Sequence, residues 1–267
     1  MLSAATHVVH LIWKIKKKPI APILLTVYFK YVQIKDGLLK KRTTKSASAS
    51  FNHQNSGNPM TVLFVHGMGR SSLSGWPLLY QLRKAEMKTK TFNYSVAFER
   101  FDTITARLRT RIIRIAATGN YIVVGHSLGG VLLRASLESL PSGIALPQHV
   151  YLLGSPILPS RIARHLQTNF IYRTITGDCG QLLGSTKRMA AIGFPSVPIT
   201  AIVGTRGIKS KYGPFGEDKN DGIVSISEVT AAWLSNVEQV PVAHTLLPAS
   251  KHVAKIIIKD MDSGQSH

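Results

Sequence analysis

Three side chains and two backbone amides in this sequence have the types and spacing for acyl chemistry. Ser127 stands in Gly125-His126-Ser127-Leu128-Gly129-Gly130, between the run Tyr121-Ile122-Val123-Val124 and the helix formers Val131-Leu132-Leu133-Arg134-Ala135. The first run reads as a buried strand and the second as a helix. A G-x-S-x-G pattern at such a junction puts the serine on a sharp turn, with its hydroxyl at the end of a sheet and at a helix N-terminus. Negative charge is favoured there. A serine hydroxyl is a weak nucleophile, so it needs a base within hydrogen-bond reach and a third group to orient that base. His244, in Ala243-His244-Thr245, is the candidate base, and Asp221, in Asn220-Asp221-Gly222, is the candidate orienting acid. Met68 and Leu128 are the candidate donors of backbone N–H groups to an oxyanion.

The acid and the base each have a competitor. Asn-Asp-Gly is also a turn signal, with Asp218 and Asp178 as the alternative acids. His252 competes with His244, but it falls inside the apparent last helix. His66 reads as a brace for its own loop rather than a base. Arg70 suits an acidic head group or plain solvation.

The elements that must carry these residues follow from the pattern. Thr61-Val62-Leu63-Phe64-Val65 is a strand running into His66-Gly67-Met68-Gly69, where the glycines let the chain turn and aim an N–H inward. The pattern then predicts a helix over 74–84, a strand over 90–94 and an amphipathic helix over 101–117. Arg107, Arg109, Arg111 and Arg114 on that last helix read as a solvated face, with no aromatic interleaving of the kind that stacks bases. No nucleic-acid partner is expected. Further strands are predicted over 149–156, 199–204 and 236–242, and a final helix is expected to open at Pro248 and run through Lys259. Residues 157–197 hold no strand; 157–168 can be helical, and the segment is either a lid over the site or plain packing. Strands alternating with helices predict a mostly parallel central sheet with helices on both faces.

The chain has 267 residues, is 44% hydrophobic and 17% charged, and carries 33 Lys+Arg against 13 Asp+Glu for a net charge of +20. This suits one α/β domain with an appended segment. The expected division is a basic N-terminal segment and linker over 1–58, an α/β domain over 59–262 and a tail over 263–267. Cys179 is the sole cysteine, which excludes an internal disulfide and a thiolate metal cluster. Residues 1–50 hold ten Lys or Arg and one acid, Asp36, around the apolar run from Pro19 to Phe29. That run is too short to span a bilayer, which takes about 20 residues. It reads either as an interfacial anchor to an anionic membrane surface or as a helix packed on the domain itself. The location expected is cytoplasmic or membrane-associated, with export allowed.

Strand–His66-Gly67-Met68-Gly69, Gly125-His126-Ser127-Leu128-Gly129-Gly130, Asp221-Gly222 and His244-Thr245 together resemble the α/β-hydrolase superfamily. The bacterial lipase and esterase branch is most similar, and Leu153-Gly154-Ser155-Pro156 adds to the likeness. The resemblance covers about residues 59–262 and follows the order Ser, Asp, His. It implies an α/β-hydrolase fold, with Ser127 as nucleophile, Asp221 as acid, His244 as base, and no cofactor or metal. The activity implied is hydrolysis of carboxylic esters, of lipids or other acyl compounds, through an acyl-enzyme. Two alternatives use the same residues or fold: acyl transfer or thioester hydrolysis, and an idle hydrolase fold serving as a membrane-associated binding module.

Overall fold

A computed structural model describes residues 59–207 and 210–264. The expectations for the basic segment 1–58 and for residues 265–267 lie outside them. The described chain builds six strands: β1 (Thr61–Val65), β2 (Lys88–Phe92), β3 (Tyr121–His126), β4 (Val150–Leu153), β5 (Ile199–Gly204) and β6 (Asn236–Val240). They form one sheet in the order β2-β1-β3-β4-β5-β6. Every pairing is parallel. Parallel neighbours require crossovers, and helices fill them on both faces.

The crossovers are α1 (Trp76–Lys84), α2 (Phe101–Ala116), α3 (Leu128–Glu138), α4 (Arg161–Leu166), α5 (Phe170–Gly184), α6 (Thr186–Ala190) and α7 (Ile226–Val229), and α8 (Lys251–Gly264) follows β6. Alternate side chains of the central strands feed two separate cores. Leu63, Val65, Val123 and Leu152 face α2, α3 and α5. Val62, Phe64, Ile122, Val124, Tyr151 and Leu153 face Leu78, Leu79 and Leu82 of α1 and Val253, Ala254 and Ile257 of α8. Burying each such aliphatic side chain stabilises the fold by about 1.5–3 kcal/mol. The central strands β1, β3, β4 and β5 are buried along their whole length. The outer strands differ: β2 exposes Lys88 and Lys90, and β6 exposes Asn236 and Gln239.

Several boundaries differ from the sequence reading. The strand expected over 90–94 lies at Lys88–Phe92. Its Lys-Thr-Lys-Thr alternation is that of an outer strand, which has little apolar signal to mark it. The helix expected from residue 74 begins as a 3₁₀ turn, Ser72–Gly75, before α1. Pro248 does not open the last helix but lies inside a 3₁₀ turn, His244–Ala249, and α8 starts at Lys251. Residues 157–197 contain no strand, and they form α4, α5 and α6. α5 is kinked at Gly177 (φ 54°), where a Cβ would stand 2.5 Å from the Val96 carbonyl oxygen. Among the described residues no helix is long and apolar enough to cross a membrane.

Candidate active site

The end of β3 turns abruptly into α3 at Ser127, whose φ is 54° and ψ −124°. Among the described residues only Ser127 and Glu86 of the non-glycine residues have positive φ. Such a backbone costs about 1–3 kcal/mol and persists only where surroundings over-determine it. Here they do. The Ser127 N–H donates to the Leu153 carbonyl at 2.9 Å. A Cβ on Gly125 would lie 2.4 Å from Gly130 Cα, and one on Gly129 would lie 2.3 Å from the Val65 carbonyl oxygen. The two glycines therefore let β3, α3 and the end of β1 close on one another. Ser127 is half-buried, and its hydroxyl makes no hydrogen bond to a described residue.

Asp221 and His244 meet on the loops beyond β5 and β6. His244 Nδ1 lies 2.7 Å from Asp221 Oδ2, and both residues are buried. A carboxylate only accepts, so Nδ1 carries the proton and Nε2 is left as the basic nitrogen. The other carboxylate oxygen, Oδ1, accepts from the N–H groups of Ile223 at 3.0 Å and Val224 at 2.9 Å. The His244 N–H donates to the Asp221 carbonyl at 2.9 Å, which fixes the backbones as well. The loop carrying Asp221 is braced by Glu228, whose carboxylate accepts from the Ser225 N–H and hydroxyl and from the Arg161 N–H. Gly154, at the end of β4, sits against the pair: a Cβ there would be 2.9 Å from His244 Nδ1 and 3.0 Å from Asp221 Oδ2. The preceding Leu153 is the residue whose carbonyl holds Ser127, so one peptide at the β4 terminus touches both halves of the site.

His126 is a functional candidate that the sequence reading missed. Its Nε2 lies 3.1 Å from the His244 carbonyl oxygen, and the two rings are 4.9 Å apart. The carbonyl can only accept, so Nε2 is protonated and the neutral ring leaves Nδ1 bare. Nδ1 is buried without a partner among the described residues and stands beside Gly67, where a Cβ would be 3.0 Å away. Burial, and then the neighbouring His244 and Arg70, hold the ring's pKa well below the usual imidazole value. His126 thus joins the loop after β1 to the backbone of His244 as a neutral ring. A histidine next to the serine was visible in the sequence, but nothing there indicated a partner 118 residues away.

His66 braces its loop, as the sequence reading expects. Its Nδ1–H donates to the Gly67 carbonyl at 2.9 Å, its ring stacks on Tyr94 at 4.3 Å, and the Tyr94 hydroxyl donates to the His66 carbonyl at 2.8 Å. Burial lowers its pKa. The loop so held carries Met68 over the elbow, and a Gly67 Cβ would be 3.1 Å from Ser127 Cβ. The Met68 and Leu128 N–H groups have no acceptor among the described residues.

The competing residues lie elsewhere. Asp178 accepts from Arg188 at 2.8 and 3.2 Å and from the Phe101 N–H at 3.0 Å. Asp218 pairs with Arg161 at 2.8 Å and Ser227 at 3.0 Å. His252 is exposed on α8. Among the described residues no group of three or more His, Cys, Asp or Glu could hold a metal ion.

An all-parallel sheet with a strained serine between β3 and α3, and with an acid and a histidine beyond β5 and β6, defines the α/β-hydrolase fold. Solved structures agree. The mature lipase BlEst2 of Bacillus licheniformis aligns over 80% of this chain and 95% of its own, with TM-score 0.60 and 18% identity. The thioesterase RedJ of Streptomyces coelicolor aligns over 85% and 94%, with TM-score 0.54 and 12% identity. Tomato methylketone synthase I, complexed with 2-tridecanone, aligns over 78% and 99%, with TM-score 0.53 and 12% identity. No family model matches the chain, and no curated protein matches it. At these identities the likeness establishes the fold.

Proposed function

We propose that this protein is a serine hydrolase that cleaves carboxylic esters through an acyl-enzyme. The observation that carries the reading is a hydroxyl held at positive φ, its backbone bonded to the β4 terminus, where Gly154 packs against a buried Asp221–His244 pair whose Nε2 is the basic nitrogen. His244 Nε2 takes the proton from Ser127 Oγ as that oxygen bonds to the acyl carbon. The carbonyl π pair moves onto its oxygen, which the Met68 and Leu128 N–H groups receive; one such donor is worth roughly 3–4 kcal/mol. Collapse breaks the bond to the leaving alkoxide, to which His244 returns the proton. A water then repeats both steps on the acyl-enzyme. Asp221 keeps the tautomer and stabilises the imidazolium.

The test is labelling with a fluorophosphonate, with turnover of p-nitrophenyl esters of rising chain length measured alongside. Expected are a single adduct at Ser127, its loss in Ser127→Ala, and a maximum of kcat/KM at one chain length. A folded wild type that neither labels nor turns over any ester would leave the idle fold as the better reading. Faster turnover of acyl thioesters than of matched oxygen esters would move the assignment to a thioesterase.

A further inference from the structure

α1 buries Leu78, Leu79 and Leu82 and shows solvent Trp76, Tyr80, Arg83 and Lys84. Residues 76, 80 and 84 are spaced four apart, so they form one ridge on the outer face of the helix. Trp76 is 54% and Tyr80 41% exposed, large values for aromatic rings. Their rings stack at 5.5 Å, and the Lys84 ammonium sits 5.1 Å from the Tyr80 centroid. The ridge continues past the helix start. Leu73, 72% exposed, lies in the 3₁₀ turn before α1. That turn packs on the 3₁₀ turn that begins with His244, which carries Leu246 at 43% exposure. An apolar strip therefore runs from beside the candidate base down the outside of α1 and ends in cations. The neighbouring helix α8 packs on α1 and adds exposed Lys251 and Lys255.

We infer that this strip is a docking surface for an anionic phospholipid leaflet. Tyr and Trp suit a boundary where one end of the ring is apolar and the other wet. Arg83, Lys84, Lys251 and Lys255 match the phosphate layer, where each cation adds attraction. A second copy of the chain fits poorly: a two-fold contact would bring the same cations face to face, on a chain already at +20. A leaflet on the strip lies against the turn that opens with His244, so an acyl ester reaches the site from the lipid side. The docking itself does not depend on the ester chemistry.

The full chain with Trp13→Phe and Trp233→Phe keeps Trp76 as its only tryptophan. Its emission should shift to the blue on vesicles of phosphatidylcholine and phosphatidylglycerol, and it should be quenched by lipid brominated in the acyl chains. The shift should weaken as salt screens the lysines. Leu73→Ser/Trp76→Ser in the wild-type background should lower turnover of vesicle-borne ester about tenfold and leave turnover of a soluble ester unchanged. Unchanged Trp76 emission while the protein sediments with vesicles overturns the inference, because other residues then make the contact. Emission that responds to a homopolymer RNA and not to vesicles also overturns it. Loss of soluble-ester turnover in the wild type speaks only to the chemistry, since the emission change needs no hydrolysis.

Discussion

The two halves of the candidate site are built differently. On the acid–base side every orienting contact is already made: Asp221 uses both carboxylate oxygens, and His244 is held through Nδ1 and its backbone, with Nε2 left open. On the nucleophile side the Ser127 hydroxyl and the Met68 and Leu128 amides have no partner among the described residues. The contrast separates what must be preorganised from what must stay available. An orienting hydrogen bond is useful only if it exists before substrate arrives, whereas an oxyanion donor already satisfied by protein could not serve. The fold achieves this by anchoring the serine through its backbone alone, at Leu153, and the histidine through its ring and its backbone together.

The largest blow to this picture is Ser127→Ala, which removes the uncommitted half. Ester turnover should fall about ten-thousandfold or more while the urea midpoint stays within error of wild type, since the hydroxyl bonds nothing in the folded chain. Asp221→Asn attacks the committed half. An amide can offer its NH₂ group to His244 and select the wrong tautomer, so kcat should drop about 10³–10⁴-fold with KM little changed, read from steady-state kinetics.

His126→Phe keeps the ring and deletes the donor to the His244 carbonyl. Loss of this brace on the backbone of the candidate base should cost kcat/KM about tenfold. This variant also has a pH signature. Burial keeps His126 neutral in the folded chain. The unfolded chain binds a proton at this residue below about pH 6.5, so stability falls as pH drops from there, with a limiting slope of about 1.4 kcal/mol per pH unit. Urea midpoints between pH 7.5 and 5 should fall less steeply in the variant than in wild type. The smallest effects belong to Asp178→Asn and Asp218→Asn, which should leave turnover within about twofold. A larger catalytic loss at either would mean that the orienting acid has been misassigned.

The sequence made the sheet readable wherever strands are buried on both faces. Tyr121–Val124 and Ile199–Val203 are continuous β-branched and apolar runs, and they fall where expected. β2 was displaced by two residues because Lys88 and Lys90 face water and leave only Phe92 as an apolar mark. α5 was not visible as a single helix. Gly177, Gly180 and Gly184 argue against helix by propensity. Contact with neighbouring segments requires two of them: a Cβ on Gly177 would strike Val96, and one on Gly184 would crowd Ala163. Asp221 and His244 could be proposed from their order along the chain. Their hydrogen bond, and the role of His126 behind it, depend on loops from three strands converging, which periodicity does not encode.

The lysines that obscured β2 have a consequence of their own. Among the described residues a sheet this apolar at its centre ends in β2 and β6, and the outer backbone edge of each is a template for a foreign strand. Lys88 and Lys90 project from one of them, and Asn236 and Gln239 from the other. Desolvating two ammonium groups opposes edge-to-edge growth, so the residues that weakened the strand signal also guard the fold against aggregation.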